Sequence, residues 1–237
     1  IEGLFRKNKI EVIRGIGRLA DGQTVLVKAL AESSAERAVH ARRILLATGS
    51  RPRLLPELEA DGQRILTSRH ALALREVPRS LLIIGAGPIG LEFASVFASY
   101  GSHVTVVECE QHAPPMADHD VGAELLRCLE RRGIRFLLGA TIREVKATET
   151  GVEVVVSCGD KEERLQSDRM LVAIGVLPNS ENLGLGSLGI ALDKGCVQVG
   201  PGFRTACPTV WAAGDLIGPP MLAHAASAEA VAAVEAM

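Results

Sequence analysis

The sequence predicts an α/β fold built from two related units, each a parallel sheet flanked by helices and fed by a small antiparallel meander. Three observations predict it. Residues 81–108, LLIIGAGPIGLEFASVFASYGSHVTVVE, read as strand, glycine loop, helix and second strand. Two distant stretches, RILLATGSRP and RMLVAIGVLP, share the pattern R-(I/M)-L-(L/V)-A-x-G-x-x-P, and each follows a run of short strands. Apolar residues make up 47% of the 237-residue chain while aromatics make up 3%, and this Ala/Val/Leu/Ile-rich mix suits buried parallel strands under helices.

Taken in order, residues 9–16 and 23–29 alternate like strands around an ADGQ turn at 20–23, which predicts a hairpin. After a polar link, 41–52 is a short buried strand entering a tight Gly turn. Residues 53–78 are Pro-punctuated, with a helical stretch around 68–75. A strand at 81–85, a helix at 88–100 and a strand at 103–108 follow. Residues 110–120 form a loop, and Asp120 caps a helix at 121–132 whose apolar face is Val121, Leu125, Cys128 and Leu129. Short strands follow near 134–138, 141–147, 152–158 and 162–165, and 169–179 returns as a buried strand. The stretch 204–215 is a strand ending at Gly214, with Asp215 at its carboxyl end, and an Ala-rich helix begins near Met221.

Composition narrows the function classes. The net charge is −2, with no basic stripe and no interleaved aromatics, which argues against nucleic acid. The longest apolar run is broken by Gly, Pro and Glu92, which argues against a membrane span. No secretory signal precedes the fold, and Ile1 opens on patterned sequence, so a piece of a longer protein is expected. Cys109, Cys128, Cys158, Cys196 and Cys207 form no CxxC or CxxxxC pair and show no zinc spacing; they read as small buried hydrophobes in a reducing cytoplasm. Asp118-His119-Asp120 reads as a solvated loop entering a helix cap rather than a metal site.

The chemistry concentrates in Gly85, Gly87 and Gly90. G-x-G-x-x-G between a strand and a helix is a Rossmann-like dinucleotide cradle. Gly85 permits the tight turn, Gly87 lets a pyrophosphate approach the backbone, and Gly90 lets helix and strand pack closely. Pro88 and Ile89 open the helix whose free N–H groups face the phosphates. Glu108 ends the second strand, where a carboxylate accepts both adenosine ribose hydroxyls and repels a 2′-phosphate. With no Arg or Lys between it and Asp120, NAD is expected over NADP. Gly175 completes the expected NAD site. Glu92, on the first turn of the helix, is either a dipole-stabilising carboxylate or half of a buried pair. Asp215 lies at the strand edge where α/β sheets hold ligands, and the following helix presents its N-terminus nearby.

In order and spacing, ATGSRP, GAGPIG with Glu108, AIGVLPN and TACPTVWAAGD resemble the flavin-dependent pyridine nucleotide–disulfide oxidoreductases. The opening IEGLFRKNKIEVIRG and the closing GPPMLAHAASAEA are most similar to its dihydrolipoamide dehydrogenase group. The resemblance implies the three-layer ββα FAD/NAD(P)-binding fold. It divides the chain into 1–76, a partial FAD-binding domain; 77–177, an inserted NAD-binding domain; and 178–237, the returning FAD segment. It implies that Asp215 bonds the FAD ribityl chain, that Ala47, Thr48, Gly49 and Gly214 border FAD, and that Met221, Leu222, Ala223 and His224 start a helix at the flavin. Helix packing is an equal reading of His224. Glu92 would pair with a lysine near the flavin, beside the nicotinamide. The family's FAD phosphate loop, CxxxxC disulfide and C-terminal dimerisation domain lie outside this sequence, and Val176 stands where the family usually has Arg. The implied parent is a homodimer that passes hydride between NAD(H) and FAD and electrons to a dithiol such as dihydrolipoamide or a lipoyl protein. Soluble transhydrogenases, mercuric reductases and NADH oxidases share these motifs, and a non-catalytic NAD-binding module would share the cradle.

Overall fold

The structure is a computed structural model that describes residues 1–30, 36–56 and 58–237. Two units divide the chain: residues 1–51 with 177–237, and residues 52–176.

In the 52–176 unit a five-stranded parallel sheet runs in the order Ile65–Leu66, Arg169–Val172, Ser80–Ile84, His103–Val107, Arg135–Leu137. Strand side chains alternate between faces, and here both faces are buried. Leu81, Ile83, Val104, Val106 and Leu171 pack under helices Pro88–Ser99 and His119–Glu130, with Leu91, Ala94, Phe97 and Leu129. Leu82, Ile84, Val107, Met170 and Val172 pack against Val152, Val154 and Val156 of an antiparallel meander, Ala140–Ala147, Val152–Cys158 and Lys161–Ser167. Meander, parallel sheet and helices are therefore the three layers. Double burial explains why SLLII carries no polar alternation.

In the other unit, Ile44–Leu46 pairs in parallel with Val210–Ala212, and both contribute to a core with Leu19, Leu185, Val197 and Leu216. An antiparallel sheet of Ile16–Leu19, Thr24–Lys28 and Glu36–His40 precedes it. The sequence repeat is structural: each copy follows a three-stranded meander, enters a parallel pairing, and turns at a left-handed glycine, Gly49 (φ 67°) or Gly175 (φ 104°).

Several expectations are corrected. The hairpin's first strand is Ile16–Leu19, not 9–16, because the Asp21–Gln23 turn pairs Leu19 with Val25 and Ile16 with Lys28; residues Glu2–Lys7 are helical. The polar link contains the third strand, Glu36–His40, while 31–35 lie outside the described residues. The second amphipathic helix is His119–Glu130 with Asp118 at its N-cap, so Asp120 sits in the first turn. Its buried face is Gly122, Leu126 and Leu129, with Val121 61% exposed. Gly122 sets that phase, since a Cβ there would meet the Ala113 carbonyl oxygen at 2.6 Å. The C-terminal helix starts at Ala223 rather than Met221. None of the five cysteines is buried: Cys109 and Cys158 are exposed and the others half-buried, Cys207 packing against the edge of the core that holds Leu19, Val210 and Leu216. Among the described residues no helix is long and apolar enough to cross a membrane, and no cluster of His, Cys, Asp and Glu could hold a metal.

Candidate functional site

The Gly-rich loop leaves the carboxyl end of the central strand of the 52–176 unit. The Gly85 N–H donates to Val107 O at 2.8 Å, and the Ala173 N–H donates to Ile84 O at 2.7 Å, so three neighbouring strand ends are tied together. The glycines differ in what requires them. A Cβ on Gly85 would lie 2.5 Å from Ala173 O, and one on Gly90 would strike Gly85 O. A Cβ on Gly87 would meet nothing within 4 Å. Gly87 is the N-cap of the Pro88–Ser99 helix, with ordinary extended geometry (φ −73°). Protein packing therefore explains Gly85 and Gly90 but not Gly87, whose bare backbone faces a cavity.

That cavity has a volume of about 610 Å³ and is lined by Gly85, Gly87, Pro88, Ile89, Glu108 and Gly175, with Leu55, Met116, Thr141 and Ile174. No Lys, Arg or His is among its described lining residues. Glu108 is 7% exposed. Its backbone is gripped on both sides, by Leu137 O and by the Ala140 N–H. Its Oε2 accepts from the Ala86 N–H at 2.7 Å, and its Oε1 accepts from the Glu110 N–H at 3.0 Å and the Cys109 thiol at 3.2 Å. Burial pushes the Glu108 carboxyl up, but these donors outweigh it and hold its pKa below the ordinary carboxylate value. The site thus keeps a buried negative charge at neutral pH. The same carboxylate raises the Cys109 thiol pKa, first through that hydrogen bond and then with help from burial.

A second group of expected residues gathers at the carboxyl edge of the other unit's parallel pair. Ala47, Thr48 and Gly49 follow Ile44–Leu46, and Gly214 and Asp215 follow Val210–Ala212. Ser50 Oγ donates to Asp215 Oδ2 at 2.6 Å, and Glu229 accepts from the Gly214 N–H at 2.8 Å. Thr48 and Asn179 exchange hydrogen bonds at 2.8 and 2.9 Å, and Arg51 forks onto both oxygens of Glu181 at 2.8 and 2.7 Å. Leu222, Ala223 and His224 are exposed at the start of the C-terminal helix, and Met221 is half-buried. Glu92 is exposed and makes no ion pair among the described residues; it is the fifth residue of the Pro88–Ser99 helix, so it lies past the first turn where sequence placed it, and that turn carries no acidic side chain.

Sequence reasoning missed Cys109, Ser50, Asn179 and Glu229. Cys109 was visible as the neighbour of Glu108. The others gain meaning only from pairings such as Ser50–Asp215, 165 positions apart.

Comparison with known proteins identifies the family. A dihydrolipoyl dehydrogenase of Zymomonas mobilis is 42% identical over all of this chain and 51% of its own length. Dihydrolipoyl dehydrogenase 3 of Pseudomonas aeruginosa is 44% identical over 99% of this chain and 50% of its own. The crystal structure of LpdA from Mycobacterium tuberculosis superposes with a TM-score of 0.88 at 31% identity, covering 99% of this chain and 52% of that one. The chain therefore spans about half the length of the relatives it matches. With residues 1–230 matching that family, the chain belongs to the pyridine nucleotide-disulphide oxidoreductases.

Proposed function

We propose that this chain carries the NAD(H) site and part of the FAD site of a disulfide oxidoreductase of the dihydrolipoamide dehydrogenase type. Residues 77–177 form the body of the NAD-binding domain, whose sheet the strand Ile65–Leu66 extends, and the rest of residues 1–76 with 178–237 belongs to the FAD-binding domain. The observation that carries the reading is the buried, ionised Glu108 beside the open backbone of Gly87, in a cavity with no cation among its described lining. A dinucleotide fits these residues: Gly87 and the N–H groups behind Pro88 receive the pyrophosphate, Glu108 receives the adenosine ribose hydroxyls, and Gly175 closes the far wall.

When bound, NAD(H) and FAD supply the hydride and electron chemistry; the chain's residues orient them and shape the site. Asp215, held by Ser50, takes the ribityl chain of FAD. Ala47, Thr48, Gly49 and Gly214 border it, and Met221 to His224 begin the helix whose dipole favours charge on the flavin. Glu92 faces the nicotinamide end. In the whole protein the electrons pass to a small dithiol or a lipoyl protein, the assembly is a homodimer, and the compartment is the cytoplasm. Five unpaired cysteines support a reducing compartment. The family resemblance supports the dithiol and the dimer.

Calorimetric titration tests the reading. NADH should bind the chain more tightly than NADPH, and Glu108→Gln should narrow the gap by removing the charge that repels a 2′-phosphate. Equal affinities in the unaltered chain, or an unchanged gap in the variant, would overturn it.

A further inference from the structure

Three donors converge on Glu108, and they are not equivalent. The Ala86 and Glu110 amides belong to a backbone fixed by the sheet and persist whatever side chains surround them. The Cys109 thiol is the one side-chain donor of the three, and it makes a second bond to Oε1, the oxygen that already accepts from Glu110. Cys109 itself lines the cavity between Glu108 and Glu110.

The geometry points to Cys109 as a positioning residue for coenzyme choice: its thiol fixes the rotation of the Glu108 carboxylate and so sharpens preference for a free ribose 2′-hydroxyl over a 2′-phosphate. The terminal torsion of a Glu side chain is broad and roughly two-fold. With one amide on each oxygen, the carboxylate plane can still rock. A second donor on Oε1 narrows that motion, and bonds to ionised acceptors are the stronger ones, although a thiol is a weak donor. A rocked carboxylate accepts ribose hydroxyls less well and holds its charge less firmly where a 2′-phosphate would sit. The inference rests on the assignment of Glu108 to the adenosine ribose.

The test is titration of the unaltered chain, Cys109→Ser, Cys109→Ala and Glu108→Gln with NADH and with NADPH by calorimetry, with thermal midpoints measured alongside. Cys109→Ala should weaken NADH about three- to fivefold without weakening NADPH, the scale of one weak bond to a charged acceptor. Cys109→Ser should keep the original ratio, because a hydroxyl can donate to the same oxygen. Should Cys109→Ala lower the thermal midpoint, Cys109→Val, which keeps bulk without a donor, gives the same reading. Equal loss toward both coenzymes, or an unchanged ratio in the variants lacking a donor, overturns the proposal. Glu108→Gln separates the two failures. If it keeps the ratio, the assignment of Glu108 fails; if it collapses the ratio while Cys109→Ala does not, only the role of Cys109 fails.

Discussion

Gly87 and Gly90 stand three positions apart, one at the N-cap and the other in the first turn of the same helix, yet they are required for different reasons. Gly90 is required by the fold, since any Cβ there runs into the carbonyl of Gly85. Gly87 is required by nothing within the protein. Gly90→Ala should therefore destabilise the chain by about 2 kcal/mol or more, as overpacking against rigid backbone does. Gly87→Ala should cost about 0.5–1 kcal/mol, the price of alanine at an N-cap, yet abolish detectable NADH binding. Chemical denaturation and titration of the two variants check the contrast; a Gly87→Ala chain that still bound NADH would remove the pyrophosphate from this loop. The roles of Gly85, Gly90 and Glu108 were legible because a motif fixes both residue and position. The cysteines misled, since their average tendency toward burial carries no information about which side of an element they fall on.

Among the elements, those with strong internal constraint were legible and those phased by a partner were not. Strand Ser80–Ile84 and helix Pro88–Ser99 fall within a residue of their expected bounds. Helix His119–Glu130 exists as expected but is turned. Its apolar residues describe two overlapping stripes, and the close approach of Gly122 to Ala113 selects Leu126 and Leu129 over Val121 and Leu125. Leu129→Ala should then cost about 2–4 kcal/mol, whereas Val121→Ala should stay within about 0.5 kcal/mol. Equal losses in denaturant melts would restore the face read from periodicity. Helix Ser68–Leu72 carries a reciprocal cap between Thr67 and His70; the Thr was a readable signal, but histidine in the role usually taken by Glu or Gln hid it.

For the whole molecule, the duplicated strand-and-glycine pattern was the most informative feature of the sequence, because both copies occupy equivalent places in their units. What periodicity could not supply was the long-range pairing that assembles the unit of residues 1–51 and 177–237. Function at this scale follows from inventory. The chain has no vicinal cysteine pair in sequence, and a relay from nicotinamide to flavin to disulfide needs each group held nearly in contact. NADH-dependent reduction of lipoamide by this chain with added FAD should not exceed the protein-free control; turnover lost on changing Cys196 or Cys207 to Ser would reveal a redox pair that the structure does not display. The Thr48–Asn179 clasp has a consequence for the order of events during synthesis. It joins residues 131 positions apart, and closing so long a flexible loop costs on the order of 4 kcal/mol of chain entropy. Residues 52–176 leave the ribosome before Asn179 and own a complete sheet and core. Folding early, they would replace a floppy loop by a folded unit, and the late-arriving Val210–Ala212 strand would then search for Ile44–Leu46 over a shortened tether. The inserted unit is thus expected to act as a folding aid to the one whose sequence flanks it.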